Sequence, residues 1–392
     1  MRTRLLLLSF FYTLTVASQS TQKVHFSSTL VDTHNDVLSS QVLGGYDISK
    51  RLTVGHSDLV RWKEGGLDVQ FFSVFTGPDA RNKEGVYKDA NQEIDSLQSI
   101  VDRNPGRMVL ARTYKDVTKA VRNNMLASLI GVEGGHMIEG DMGKLDALYE
   151  RGMRYMTLTW NNSTDWASSA MDETLHPEKL KQKGLTEFGK EVVRHMNQLG
   201  IIVDLSHTGE QTFYDALSVS TKPVLLSHSS VWSICPVFRN VKDDQIRALA
   251  KNGGVMCVNF YSGFISKEYD QRSAYLNGPG HKAWTDSMMM QLHDSVAVAK
   301  AWDVYMDAEL QKVRPTLQQL VDHIDHIVKL VGDDYAGIGS DYDGVTSLPL
   351  GMDDVTKYPL ITEELKARGY SDKSIKKILG GNVLRVMKAN FK

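Results

Sequence analysis

The chain has 392 residues and carries 45 lysines and arginines against 47 aspartates and glutamates, a formal charge of −2. That balance leaves no basic excess for a polyphosphate partner and argues against nucleic-acid binding. Hydrophobic residues make up 42% and charged residues 23%, the proportions of a globular chain and not of a disordered one. The length exceeds one ordinary domain of roughly 100–200 residues, yet it fits a single (β/α)8 barrel with insertions, roughly 200 to over 400 residues.

The first residues read as an export signal. Arg2 and Arg4 precede an apolar run from Leu5 to Ala17, too short to cross a bilayer, and the small residues Ala17 and Ser18 offer a cleavage zone. Residues 1–18 are therefore expected to be a signal peptide, and 19–392 a single domain that is periplasmic or secreted. An uncleaved N-terminal anchor is the alternative. Residues 386–392 show no apolar tail, so no stable membrane anchor is expected at that end.

Eight short β-rich runs follow, at 29–33, 67–75, 126–132, 155–159, 201–205, 223–226, 254–260 and 336–340. Runs such as Ile201-Ile-Val-Asp-Leu205 are apolar without strict alternation, which suits strands buried on both faces of a parallel sheet. Helical patterns lie between them. The 186–199 pattern ends at the cap-forming Gly200, the 243–251 pattern opens with an acidic turn, and Leu317, Leu320, Val321, Ile324, Ile327 and Val328 form an apolar stripe within 315–331. Repeated strand–helix alternation predicts a closed (β/α)8 barrel of the TIM type, with an open doubly wound sheet as the rival. The methionine-rich stretch 265–313 reads as a helical insertion over or beside the barrel, and its Met288–Met290 triplet as packing.

Two cysteines, Cys235 and Cys257, are too few for a four-thiolate zinc site or a disulfide scaffold, so any metal must be held by histidine and carboxylate. Such residues fall at the ends of the runs. His34 and Asp36 close the first, Glu133 the third, His207 the fifth, His228 the sixth and Asp341 the eighth. In a barrel these ends converge at one mouth. Singly each has an ordinary reading: a histidine after a strand is usually structural, and an aspartate before glycine usually shapes a turn. Together, three imidazoles and three carboxylates can bind two divalent ions, with Glu133 as the natural bridge.

In order along the chain, the motifs VDTHND, GVEGGH, DLSH, LSHSS, RNVKDD, VNFY and GIGSDYDGV resemble those of the membrane dipeptidase family, also called renal dipeptidases, zinc-dependent members of the metal-dependent hydrolase superfamily. The resemblance runs from VDTHND to ILGGNVLRV, nearly the whole chain after the signal segment. It implies a (β/α)8 barrel, hydrolysis of dipeptides and two zinc ions. His34 and Asp36 would hold one ion, His207 and His228 the other, and Glu133 both. Asp341 matches the family's general acid/base, Arg239 the clamp on the substrate carboxylate, and Tyr261 a substrate-contacting tyrosine. The implied mechanism is attack by a metal-bridging hydroxide, and the implied assembly is a homodimer. Taken alone, Arg239 reads as a surface arginine paired with Asp243 or Asp244, and Asp343 as a turn cap before Gly344.

Trp160 departs from the pattern, standing in Thr157-Leu-Thr-Trp-Asn-Asn162 where mammalian members carry a substrate-contacting histidine. An indole N–H donates a hydrogen bond but carries no charge, so either the metal and Asn161 stabilise the oxyanion or the substrate differs. Cys235 and Cys257 do not match the mammalian disulfide positions, and Cys257 reads as a free apolar residue. Asn161 and Asn162 fit the glycosylation pattern, but their place at a strand end argues against modification. Three functions follow: a dipeptidase, an N-acyl amino acid deacylase or other amide hydrolase on the same metal scaffold, or a binding protein that kept the barrel. The filled ligand set disfavours the last.

Overall fold

A computed structural model describes residues 21–392. The expected signal segment 1–18 lies outside the described residues. Nine strands form: β1 Leu30–Asp32, β2 Leu67–Val74, β3 Met108–Leu110, β4 Leu126–Glu133, β5 Met153–Thr157, β6 Ile202–Asp204, β7 Leu225–Leu226, β8 Val255–Val258 and β9 Ala336–Ile338. Eight of them run in the order β1-β2-β4-β5-β6-β7-β8-β9, every pairing parallel. β3 pairs with the start of β4. The ring is drawn together between its ends, where Thr33 N–H donates to the Ile338 carbonyl at 3.1 Å and Asp341 N–H to the His34 carbonyl at 3.2 Å. Buried Asp32 reinforces the seam, accepting from the Ser340 N–H at 2.9 Å and from the Ser340 and Tyr358 hydroxyls at 2.5 Å each. The architecture is the expected (β/α)8 barrel.

The strands lack alternation because both of their faces are buried. Val69 and Phe71 of β2, Ala127 and Leu129 of β4, and Val255 and Cys257 of β8 enter one core, together with Val383, Val386 and Met387 of the last helix. The intervening Phe72, Val74, Ile130, Val132, Met256 and Val258 enter a second, larger one. The helices also follow the sequence. Glu187–Leu199 starts on the Thr186 cap and stops at left-handed Gly200, and Asp243–Asn252 stops at left-handed Gly253. Leu317–Val331 starts on a Thr316 capping box. β3 went unpredicted: three residues between Arg107 and Arg112 offer no period to read.

The insertion is helical, through Lys267–Tyr275, His281–Leu292 and Ser295–Gln311. Its methionine triplet corrects the packing expectation, since Met289 is 39% and Met290 76% exposed. Helix His281–Leu292 buries no residue. It leans on its neighbour through rings, with Trp284 5.4 Å from Trp302 and 5.2 Å from Tyr305 between centroids. Cys235 and Cys257 are both buried free thiols. Among the described residues no helix is long and apolar enough to cross a membrane.

Candidate active site

The strand ends converge as a barrel requires. His34 and Asp36 follow β1, Glu133 ends β4, His207 and His228 follow β6 and β7, and Asp341 follows β9. Backbone strain accompanies this placement. His207, Asp341 and Asp343 hold φ of +64°, +63° and +68°, left-handed values that cost a non-glycine residue about 1 kcal/mol or more. Gly344 makes room at the same corner: a Cβ there would stand 2.2 Å from Asp36 Oδ2 and 2.5 Å from Asp341 Oδ1.

Glu133 is the hub. Its Oε2 lies 3.2 Å from His34 Nε2, which is in turn 3.3 Å from Asp36 Oδ2. Its Oε1 lies 2.9 Å from His207 Nε2 and 3.4 Å from His228 Nε2. One carboxylate thus divides its two oxygens between two groups of ligands, the division expected of a bridge.

Each imidazole is aimed through its other nitrogen. His34 Nδ1 meets the Tyr155 hydroxyl at 2.8 Å, His207 Nδ1 meets Asn161 Oδ1 at 2.9 Å, and His228 Nδ1 meets Ser227 Oγ at 2.7 Å. The Ser227 hydroxyl donates to Asp204 at 2.7 Å, so its oxygen accepts from His228 Nδ1–H. Nε2 of His228 therefore carries a lone pair, and it stands 2.9 Å from His207 Nε2. Burial pushes His207 down to about 3 and His228 well below its ordinary value, with Arg239 and His34 adding repulsion. Burial also opposes charge on His34, but Tyr155, Glu133 and Asp36 outweigh it and hold that imidazole well above its usual pKa.

These residues fit a metal. Facing lone pairs beside a carboxylate repel unless a cation lies between them, and His34 Nε2 and Asp36 Oδ1 lack any hydrogen-bond partner. Ligand atoms of His34, Glu133 and His228, and of His34, Asp36 and Asp341, lie within 4.8 Å of one another in each group. Imidazole nitrogen with carboxylate oxygen is a donor set that zinc accepts.

Beside the cluster opens a cavity of about 390 Å³, lined by Glu133, Asp341, Arg239, Tyr261, Trp160, Asn161 and Phe75 among others. Asp341 Oδ2 accepts from Asn259 Nδ2 at 2.7 Å. Burial pushes this carboxyl well above the ordinary carboxylate range, Asp36 and Glu133 adding to the effect while His34 opposes it. Arg239 is 4% exposed. It donates to the His228 carbonyl at 3.1 Å and Ser229 Oγ at 3.3 Å, and its Nε has no partner. Burial lowers it to about 10. The surface pairing does not form, because Asp243 pairs with His326 and Asp244 with Arg247, each at 2.8 Å. Trp160 packs on Phe75 at 5.0 Å and forms part of the wall, 6.2 Å from the His207 ring. Asp343 ties this corner to the 55–57 loop, accepting from the His56 N–H at 2.7 Å while its own N–H donates to His56 Nδ1 at 2.9 Å.

All the sequence-predicted site residues thus meet at one mouth. Sequence reading missed Tyr155, Ser227, Asp204 and Asn259. They act through contacts between distant segments: Asp204, Ser227 and Asn259 stand inside the DLSH, LSHSS and VNFY motifs, where spacing alone gave them no role, and no motif marks Tyr155.

A family model described as "Membrane dipeptidase (Peptidase family M19)" matches residues 18–391. An uncharacterized dipeptidase of Schizosaccharomyces pombe is 33% identical over 393 residues, covering 95% of this chain and 83% of its own. Among solved structures, the probable dipeptidase PvdM from Pseudomonas aeruginosa superposes with a TM-score of 0.77 at 23% identity, over 95% of this chain and 98% of that one. A metallopeptidase from Rhodobacter sphaeroides, liganded with a phosphinate mimic of the dipeptide L-Ala-D-Ala, gives 0.71 at 22%, over 93% and 99%. These structural likenesses match the barrel, and the family match extends over almost the entire sequence. The chain therefore belongs to the membrane dipeptidase family, peptidase family M19, and is a metal-dependent hydrolase.

Proposed function

We propose that the chain binds two zinc ions and hydrolyses dipeptides that end in a free carboxylate. One observation carries this reading: Arg239 is a buried guanidinium that no carboxylate meets among the described residues, and it opens into the same cavity as Glu133 and Asp341. A buried cation without an anion is costly, and a substrate carboxylate gripped by both terminal nitrogens offsets that cost. A longer peptide has no free carboxylate at that place.

His34 and Asp36 would hold one ion, His207 and His228 the other, and Glu133 both. Bound zinc supplies a polarised carbonyl and a water whose pKa is lowered toward neutrality. The protein's own groups do the rest. Arg239 fixes the C-terminal residue, and Tyr261 lines the same end of the cavity. Asp341, steadied by Asn259, takes a proton from the attacking water and passes it to the departing amine, so water adds across the C–N bond. Trp160 and Phe75 give the cavity an aromatic stretch of wall.

That aromatic wall also supports a second reading, hydrolysis of N-acyl amino acids, whose apolar acyl group it would take. Amino acid release from L-L and L-D dipeptides, each free and amidated, and from N-acetyl amino acids separates the two. The L-D pairs follow the ligand of the Rhodobacter sphaeroides protein. Cleavage of free dipeptides but not of amides supports the proposal. Turnover of N-acetyl amino acids alone by the zinc-loaded enzyme rejects it for the second reading. Replacing the fork by a point charge, Arg239→Lys, should lower kcat/KM on dipeptides by about 10- to 100-fold, mostly through KM.

A further inference from the structure

We infer that Asn161 serves the reaction with both ends of its amide: Oδ1 holds His207 in place, and Nδ2 donates to the oxygen of the carbonyl under attack. The inference rests on the amide-hydrolase reading above and names the donor that this chain brings to it.

The orientation of the amide follows from its partner. His207 Nε2 faces Glu133 Oε1 and His228 Nε2, each at 2.9 Å, so Nε2 is the metal-facing atom and the ring proton sits on Nδ1. Nδ1–H then donates to Asn161 at 2.9 Å, and the group that receives it is the carbonyl oxygen. The amide nitrogen is left for another partner. Among the described residues no acceptor meets it, although Asn161 lines the cavity beside Glu133, His207 and Asp341. Asn161 is also fixed at its backbone, where its carbonyl accepts from Ser169 Oγ at 2.7 Å. The donor is thus held still before any substrate arrives, the condition under which a hydrogen bond to developing negative charge is most effective.

Trp160, the preceding residue, has its ring packed on Phe75. Donor and wall are therefore split between neighbours, Trp160 giving shape and Asn161 the N–H. An amide does not titrate, so this donor keeps its strength at every pH where the fold survives.

Two variants separate the roles. Asn161→Asp keeps an acceptor for His207 but removes the N–H, and Asn161→Leu removes both. Cobalt(II) titration of the metal-free protein, followed by visible absorption, reads the hold on His207 without any turnover. Steady-state kinetics at saturating zinc, on dipeptides and N-acetyl amino acids, reads the donor. Asn161→Asp should bind cobalt as tightly as the parent or more so, yet lose about 100- to 1000-fold in kcat with KM within about threefold. Asn161→Leu should bind cobalt about 10- to 100-fold more weakly and lose kcat at least as far, which separates loss of the donor from the charge that aspartate adds. If either variant with metal bound keeps kcat within threefold of the parent, the donor role is overturned. Parent-like cobalt affinity in Asn161→Leu overturns the orienting role. A parent that cleaves only N-acetyl amino acids rejects the dipeptidase reading and leaves the Asn161 comparison to be made on that substrate. A metal-loaded parent that cleaves neither class overturns the donor role together with that reading.

Discussion

Tyr155 reaches the metal-facing cluster from the middle of β5, its hydroxyl 2.8 Å from His34 Nδ1. Gly131 makes space for its ring: a Cβ there would stand 2.0 Å from Tyr155 Cζ. Tyr155→Phe should therefore keep the fold and weaken metal binding by about 10- to 100-fold, as read by cobalt titration. Gly131→Ala should instead destabilise the barrel by about 1–3 kcal/mol in urea melts, because the ring has no room to retreat. His323 gives a pH dependence away from the mouth. Its Nδ1 accepts from the Val231 N–H at 2.9 Å and its Nε2 bonds the Ile265 carbonyl at 3.1 Å. Burial depresses it to about 4, with Asp322 opposing and His326 reinforcing the shift. A depressed imidazole stabilises fully above its unfolded pKa, near 6.5, and that contribution is lost as pH falls toward 4. Between pH 7.5 and 5.5 this residue alone should account for about 1 kcal/mol of lost stability. His323→Gln should flatten the denaturation profile by about that amount, and an unchanged slope would refute the assignment.

The elements differ in how firmly they are held. The barrel strands are buried on both faces, whereas helix His281–Leu292 buries nothing and Ser295–Gln311 buries only Val298 and Trp302. Local opening follows the scarcity of buried apolar contact, so limited proteolysis should cut first near His293 and Asp294, between the two helices. The barrel should survive that cut as an intact fragment pair. First cleavage inside the barrel would contradict this order. The same contrast explains what the sequence revealed. Eight strands were legible because double burial writes an unbroken apolar run, and helix stops were legible because Gly200 and Gly253 sit at left-handed caps. The Met288–Met290 triplet misled because hydrophobicity alone does not say whether a partner surface lies opposite.

Over the whole molecule, the proposed ligand set was legible because each member ends or follows a strand and a barrel brings strand ends together. Its support was not. Asn259 on Asp341, Asp204 on Ser227 and Tyr155 on His34 join segments 82, 23 and 121 residues apart, and pairings of that kind appear only once the chain has closed. Metal removal should be felt by the entire fold. Stripping the proposed ions would leave facing lone pairs and unpartnered carboxylate oxygens, and a ligand at about 1,000 times its Kd contributes about 4 kcal/mol. Chelator-treated protein should melt several degrees lower than zinc-loaded protein, and added zinc should restore the difference. Equal melting temperatures would count against a resident metal.

The left-handed backbone at His207, Asp341 and Asp343 sets this chain's thermal robustness against its chemistry. Glycine at 207 should leave a more stable protein than alanine there, by about 1 kcal/mol, reversing the usual preference. A library selected for survival of heating with metal withheld by a chelator would therefore drift toward glycine at these corners. Each such winner would have traded a working group for a relaxed turn, and the most heat-resistant descendants of this sequence would be inert barrels.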